Sequence, residues 1–344
     1  MFPAISNLPS GVEPSAWSSA KNALQSESHS HPPFPILLLQ TSLSMSHGRI
    51  DQASELRALI HQSRHADRDP APQASKVRGS TLAITSGKGG VGKSLIALNL
   101  SIALAQAGEK VCLLDADLGL GNLDLLCGLN GYWNVSHVLT RSRSLREVML
   151  QGPEGISIIP GASGLAELAD LPPSGRETLL EELARLDREY DYLIVDCGSG
   201  IHRGVRQFAA SADTVLLVST LEATSLADTY AALKIYHSAG IPDVRLVFNQ
   251  ADTQQAQRAI LNIRKTARQF LQTDVAVMGC IPSDPLLAAS VSRRTPFLTH
   301  FADSSTGQAI RHLARLLNEQ RVELSPRNNF PFIQRLQADS LSAA

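Results

Sequence analysis

An α/β fold with a mostly parallel sheet and helices on both faces is predicted by three features of the sequence. Short, continuous apolar runs alternate with helical stretches; the runs carry no polar alternation, as strands covered on both faces require; and glycines fall just past the helical stretches, where helices stop. The chain of 344 residues is 43% hydrophobic and 18% charged, enough apolar material for a sizeable core, which excludes a wholly disordered protein.

The first run is TLAIT, Thr81 to Thr85, and Ser94 to Ala107 follows as a helix with Gly108 at its end. KVCLLD (Lys110 to Asp115) and GISIIPG (Gly155 to Gly161) are the next strands, and Arg176 to Glu189 is helical. DYLIVD (Asp191 to Asp196) and TVLLVS (Thr214 to Ser219) come next, then the helix Ser225 to Ala239, stopped by Gly240. VRLVFN (Val244 to Asn249), the helix Gln254 to Leu271, VAVMGCIP (Val275 to Pro282) and a last helix of about Ser304 to Glu319 close the domain. The sequence contains no internal repeat.

Ahead of this domain, Met1 to about Gln40 is rich in Ser and Pro without a sustained period, so residues 1–44 are expected to be a disordered leader. Met45 opens a more ordinary start, and N-terminal sequencing of the native protein would decide whether it is the true one. Ala53, Leu56, Leu59 and Ile60 have the spacing of a short amphipathic helix within residues 45–65. A polar linker, 66–79, leads to the domain at 80–322, and 323–344 is a tail.

Charge and cysteine usage exclude several classes. The 31 Lys and Arg against 32 Asp and Glu leave a formal charge of -1, which argues against strong nucleic-acid binding. Cys112, Cys127, Cys197 and Cys280 form no CxxC pair, a spacing that fits reduced thiols better than a disulfide framework or zinc site. No run is long enough to span a bilayer, and no basic region precedes an apolar segment at the N-terminus; the cytoplasm is therefore the expected compartment.

The chemistry concentrates after the first strand. Gly87-Lys88-Gly89-Gly90-Val91-Gly92-Lys93-Ser94 contains G-x-x-x-x-G-K-S between a strand and a helix, the phosphate-binding P-loop. Its backbone N–H groups would turn inward on a β-phosphate at the positive end of the helix dipole. Lys93 would reach the β- and γ-phosphates of ATP, and the Ser94 hydroxyl is a Mg²⁺ ligand. Asp115 and Asp117 are one residue apart after the second strand and point the same way if extended, so both could face a magnesium–water–phosphate cluster. Asp196 ends a buried apolar strand, and Gly200 would let the following loop approach a γ-phosphate. A turn rich in Asp and Gly, or a carboxylate capping the helix from Arg203, are the plain structural readings of these positions.

The whole stretch SGKGGVGKS resembles the deviant Walker A of the MinD/ParA family, which implies a P-loop NTPase of the MinD/ParA (SIMIBI) type over about Ser80 to Gln320. By that resemblance Lys88 crosses to the nucleotide of a second subunit in an ATP-bound homodimer, Asp117 positions the attacking water, and Asp115 and Asp196 lie by the magnesium. Slow hydrolysis of ATP to ADP and phosphate, dependent on the dimer, follows. Asn249 and the loop of Pro282 and Asp284 stand where relatives hold adenine, and Glu222 where they reach the partner's ribose; each of these also suits a loop or cap residue.

Within the family, DADLGLGNLD, NVSHVL, IIPGASGLAELA and SLADTYAALK resemble the flagellar-number-regulating FlhG/FleN branch more than MinD itself. Asp51-Gln52-Ala53-Ser54-Glu55-Leu56-Arg57 matches that branch's DQAxxLR helix, which implies that Asp51, Gln52, Ala53, Leu56 and Arg57 contact and stimulate the GTPase FlhF. A helix docking on its own domain is the alternative. The resemblance also implies flagellar C-ring proteins or a flagellar transcription activator as partners, at the inner face of the cytoplasmic membrane or the cell pole. The tail departs from MinD: Phe330, Phe332, Ile333 and Leu336 offer only a small apolar face broken by Pro331, with Arg327 and Arg335 for headgroups, which suits weak membrane contact or an unstructured tail.

Three rival classes keep a place. A MinD-like regulator of the division site is the alternative nearest in motif content, since it would share the P-loop and its neighbouring carboxylates. A ParA-type partitioning ATPase would need a basic patch, for which Arg293, Arg294, Arg311 and Arg315 are the candidates. An iron–sulfur carrier of the same superfamily would need paired thiolates, and only Cys197 lies near the site.

Overall fold

In the computed structural model, the described residues are 79–117, 121–161, 181–184, 186, 189–241, 243–321, 332 and 334–336. They form one eight-stranded sheet: β1 (Ser80–Ser86), β2 (Val111–Ala116), β3 (Leu150–Gln151), β4 (Ser157–Ile159), β5 (Tyr192–Ser199), β6 (Thr214–Ser219), β7 (Val244–Asn249) and β8 (Ala276–Ile281). The strands lie in the order β3-β4-β2-β5-β1-β6-β7-β8, parallel throughout except for β3 against β4. All seven expected runs are strands. Only β3 lacked a signal, because its two residues owe their pairing to β4.

Continuous burial on both faces explains the unalternating strands. In β2, Cys112, Leu114 and Ala116 face one core layer and Val111 and Leu113 the other, so each face receives every second side chain. One layer is roofed by α1 (Lys93–Gln106) and α6 (Ser305–Arg321), the other by α2 (Arg203–Ser211), α3 (Ala223–Ser238) and α4 (Thr253–Leu271). The short α5 (Pro285–Ser292) precedes α6. Where α3 meets the sheet, Ser225, Thr229, Ala232, Leu233 and Tyr236 are buried, a stripe at helical period. Helix α1 differs: it is buried almost all round, so its polar residues are satisfied internally. Asn99 donates to the Leu95 carbonyl and accepts from the Leu298 N–H, both at 2.8 Å, and Ser101 donates to the Ala97 carbonyl at 2.7 Å.

Strand register builds the site edge. Strand β5 lies between β1 and β2, and Asp196 is the Cα partner of both Ile84 and Asp115. Residues in one row of a parallel sheet project to one side, so the two carboxylates stand together under the N-terminus of α1.

The tail is where the structure differs from the sequence reading. Phe332 and Leu336 are buried in the layer beneath α2 to α4, rather than forming a free apolar face or an unstructured segment. The Phe332 ring stacks on Phe208 with centroids 6.4 Å apart and planes 16° apart, and Arg335 Nη2 donates to Asp213 Oδ1 at 2.7 Å. An apolar groove beside α2 is the physical reason: burying an aromatic ring there removes more apolar surface from water than leaving it on a short exposed turn. Phe330, Ile333 and Arg327 lie outside the described residues, as do residues 45–65 with their helix and most of Arg176 to Glu189.

Candidate functional site

Strand β1 ends at Ser86 and α1 begins at Lys93, leaving six residues to turn the chain through the loop. Gly92 is in the left-handed region with φ 88°, and a Cβ there would lie 2.4 Å from Asn249 Nδ2. Gly87 is needed for a different reason. Its missing Cβ would sit 2.5 Å from the backbone carbonyl of Asp228 and 2.9 Å from the Thr229 N–H, so the loop lies directly on α3. Because both partners are backbone, Gly87→Ala is expected to push the loop off α3, cost about 1–3 kcal/mol of stability and weaken nucleotide binding, as urea unfolding and a nucleotide titration would show.

Lys93 is buried at the base of a cavity of about 240 Å³ whose walls include Gly89, Gly92, Ser94, Asp117 and Ser199. Its Nζ donates to Asp196 Oδ1 at 2.6 Å, lies 3.4 Å from Ser94 Oγ and 3.7 Å from Asp117 Oδ2. Burial alone would lower the ammonium pKa, but the charge and hydrogen bond of Asp196, with Asp117 beyond it, hold it above the ordinary lysine value. Burial pushes the Asp196 carboxyl upward, opposed by Lys93 and by the Ser94 hydroxyl. At 2.6 Å, with the lysine held protonated, the two form an ion pair.

Asp115 has a different part from its neighbours. Its Oδ1 accepts from the Asp117 N–H at 3.1 Å and its Oδ2 from the Leu123 N–H at 3.3 Å, so its carboxylate ties the backbone of Asp117 to that of Leu123. Burial first, and then the adjacent Asp196, push its pKa up to about 7. Asp117 is about one-third exposed and faces the cavity. After β5, Gly200 at φ 88° donates its N–H to the Ser86 carbonyl at 2.8 Å, tying the following loop to the end of β1.

Lys88 does not enter the phosphate cavity. Its half-exposed Nζ donates to Glu222 Oε2 at 2.6 Å and to Thr224 Oγ1 at 3.0 Å, at the N-terminus of α3 in the same chain. Glu222 occupies the N-cap position of α3 without capping it, so its carboxylate is available for the lysine. Below, a buried hydroxyl chain joins β6 to α3: Thr229 donates to Ser219 Oγ at 2.8 Å, and Ser225 Oγ accepts from the Thr220 N–H at 3.0 Å.

A second cavity, of about 500 Å³, adjoins the first, with Leu95 lining both. Leu95, Ile96, Ile281 and Pro282 give it apolar walls, and Asn249 stands at its edge, donating from Nδ2 to the Val91 carbonyl at 2.8 Å. A planar heteroaromatic base fits such a slot: flat apolar walls for stacking, with an amide for its polar edge. Asp284 lines the same cavity, but its Oδ1 accepts from the Leu286 N–H at 2.9 Å as the N-cap of α5.

No group of three or more metal-ligating side chains occurs among the described residues. Magnesium at a P-loop does not need one, because phosphate oxygens and waters supply most of its shell and a hydroxyl such as Ser94 Oγ suffices from the protein. The donors present therefore fit Mg²⁺ accompanying a nucleotide. They do not fit an iron–sulfur cluster at Cys197, whose thiol projects into the layer under α2, on the other face from Asp196, and is pushed up by burial.

The structure thus gathers Lys93, Ser94, Asp115, Asp117 and Asp196 at one end of the sheet, with Lys88 and Glu222 paired at its side and Asn249, Pro282 and Asp284 around the adjoining cavity. Asp51, Gln52, Ala53, Leu56 and Arg57 lie outside the described residues. Sequence reasoning missed Leu95, Ser199 and Thr224. Ser199 carried a weak signal, its place three residues after Asp196, whereas Thr224 becomes Lys88's partner only through the fold.

The family model described as "AAA domain" matches residues 79–237. "Antiactivator FleN" of Pseudomonas aeruginosa is 34% identical over 258 residues, covering 74% of this chain and 92% of the relative. "Flagellum site-determining protein YlxH" of Helicobacter pylori is 33% identical over 241 residues, covering 69% of this chain and 81% of the relative. Among solved structures, the septum site-determining protein MinD complexed with Mg-ADP from Pyrococcus horikoshii matches with a TM-score of 0.57 at 25% identity, covering 72% of this chain and 99% of that one.

Proposed function

The chain belongs to the MinD/ParA family of P-loop ATPases, and from that premise we propose that it is an ATP-dependent dimerising switch that sets the number and placement of flagella. The observation that carries the switch is the division of labour between two lysines. Lys93 is sunk in the phosphate cavity beside Asp196, while Lys88 lies outside it, half-exposed on Glu222 and Thr224.

Hydrolysis in this reading needs positioning and charge neutralisation more than covalent chemistry. Lys93 turns from Asp196 to the phosphates, and the N–H groups of the loop cradle them. Ser94 Oγ would hold Mg²⁺, which would supply further positive charge beside the phosphate oxygens. Asp117 accepts a hydrogen bond from the attacking water and aligns it with the γ-phosphorus. Lys88 leaves Glu222 and enters the partner's site, so turnover waits for the dimer and the enzyme acts as a timer. Glu222, released, is placed to meet the partner's ribose, and the adenine occupies the slot between Leu95 and Pro282.

The flagellar assignment rests on the likeness to FleN and YlxH over most of this domain and on the DQAxxLR segment. In this reading that segment, through Asp51, Gln52, Ala53, Leu56 and Arg57, docks on FlhF and accelerates its GTP hydrolysis. Contact with the inner face of the membrane would be weak and would require Phe332 and Leu336 to leave the core. The test adds either the intact protein or a peptide spanning Arg49 to Gln62 to FlhF of the same organism and measures GTP hydrolysis. Stimulation by both is expected; stimulation by neither would leave a MinD-like ATPase acting in another pathway.

A further inference from the structure

Three serines line the phosphate cavity, Ser86, Ser94 and Ser199, and the fold employs two of them. Ser86 donates its hydroxyl to the Lys88 carbonyl at 2.9 Å, and Ser94 Oγ lies 3.4 Å from the Lys93 ammonium. Ser199, the last residue of β5, is half-buried, and its hydroxyl has no hydrogen-bond partner among the described residues. Nor does it serve as a helix cap, because the N-cap position of α2 belongs to His202.

Backbone pairing holds that hydroxyl in place. Ser199 is the Cα partner of Ser86 where β5 and β1 end, and the next residue, Gly200, donates its N–H to the Ser86 carbonyl at 2.8 Å. The Ser199 Oγ faces the P-loop, 3.4 Å from where a Cβ on Gly89 would be. On its other side the chain runs to Gly198, where a Cβ would meet Asp117 Oδ1 and Val205 Cγ2, both at 3.6 Å. Ser199 therefore stands on the cavity wall between the P-loop backbone and the stretch of β5 that adjoins Asp117.

We propose that Ser199 distinguishes ATP from ADP, its hydroxyl donating a hydrogen bond to a γ-phosphate oxygen that only ATP carries. This rests on the reading of the cavity as the phosphate site, with the side of Asp117 as its γ end. The other side chains there are already committed: Lys93 is a cation paired with Asp196, and Ser94 is the hydroxyl for Mg²⁺. A second hydroxyl donates to an anionic oxygen without adding charge, whereas the carboxylates of the cavity can only accept. Such a bond to an ionised acceptor belongs to the stronger, charge-assisted kind. Because the loop N–H groups serve the β-phosphate, the contribution of Ser199 falls on the third phosphate alone. No bond is made or broken at Ser199.

The test compares two nucleotides in the full-length protein, at concentrations where size-exclusion chromatography shows a monomer, so that dimer formation does not enter the affinity. Ser199→Ala is expected to weaken binding of the non-hydrolysable analogue AMP-PNP by about 10-fold, the loss for one hydrogen bond to a charged group, and to leave the affinity for ADP unchanged. Its urea-unfolding midpoint should match the wild type, because the hydroxyl has no partner within the fold to leave unsatisfied. Ser199→Thr, which keeps a hydroxyl on the same carbon, should retain the wild-type ratio of the two affinities. An equal loss for both nucleotides in Ser199→Ala, or wild-type affinity for both, would overturn the proposal. Undiminished binding of both nucleotides in Lys93→Ala would instead overturn the reading of the cavity as the phosphate site.

Discussion

Asp117→Ala is expected to bind ATP and to form the ATP-dependent dimer while losing turnover by about 10²–10⁴-fold, the range for removing a group that handles the proton of a reacting water. The separation of binding from chemistry follows from position. Asp117 touches the cavity at its mouth, and the groups that would cradle phosphate, the loop N–H groups and Lys93, do not depend on it. Its backbone N–H still donates to Asp115 when the carboxylate is removed. Size-exclusion chromatography with ATP would report the dimer and phosphate release the turnover. Loss of the dimer together with turnover would place Asp117 in assembly rather than in hydrolysis.

Lys93→Ala has two expected consequences of different origin. Nucleotide binding is lost, because no other buried cation reaches the phosphate cavity among the described residues. The protein also becomes less stable: Asp196 is 1% exposed, and removing Lys93 leaves a buried carboxyl with only the Ser94 hydroxyl to compensate it, which costs about 3–5 kcal/mol. The two effects part company in the double variant. Lys93→Met with Asp196→Asn replaces the pair by neutral groups of similar volume, and urea unfolding should recover most of the lost stability while a fluorescent ATP analogue still fails to bind. If the single variant is as stable as the wild type, the Lys93–Asp196 pair contributes nothing to the fold.

Much of this architecture was legible because it is local. The continuous apolar runs named their own strands, and G-x-x-x-x-G-K-S between a run and a helix located the phosphate loop. One further helix start has a local signal that the sequence reading did not use: Ser144 and Glu147 form a reciprocal capping box at the turn Leu145–Val148, the S-x-x-E pattern. What stayed hidden is what distance in sequence conceals. The Lys88 partners Glu222 and Thr224 are 134 and 136 residues away, and nothing near Lys88 announces them. The pairing of Asp115 with Asp196 depends on β5 lying beside β2, an order that alternating strands and helices do not specify. Asp284 stood open between a place near a base and a cap, and the proline after it favours the helix start that it does cap. Phe332 looked like one member of a short apolar face, and only the groove beside Phe208 makes it a core residue.

That last placement governs how this protein should be handled at the bench. Cutting the chain at Leu324 is the obvious way to ask what the tail does, yet the cut takes Phe332 and Leu336 out of the hydrophobic interior along with it. Emptying the site of a buried phenyl ring alone costs about 3–5 kcal/mol, a large part of a typical domain's total stability. A truncated strain with misplaced flagella would therefore report a shortage of folded protein before it reported a missing membrane contact. Substitutions at Arg335, whose guanidinium meets Asp213 at the surface of that groove, loosen the segment while leaving the ring in place, and they are the cleaner instrument.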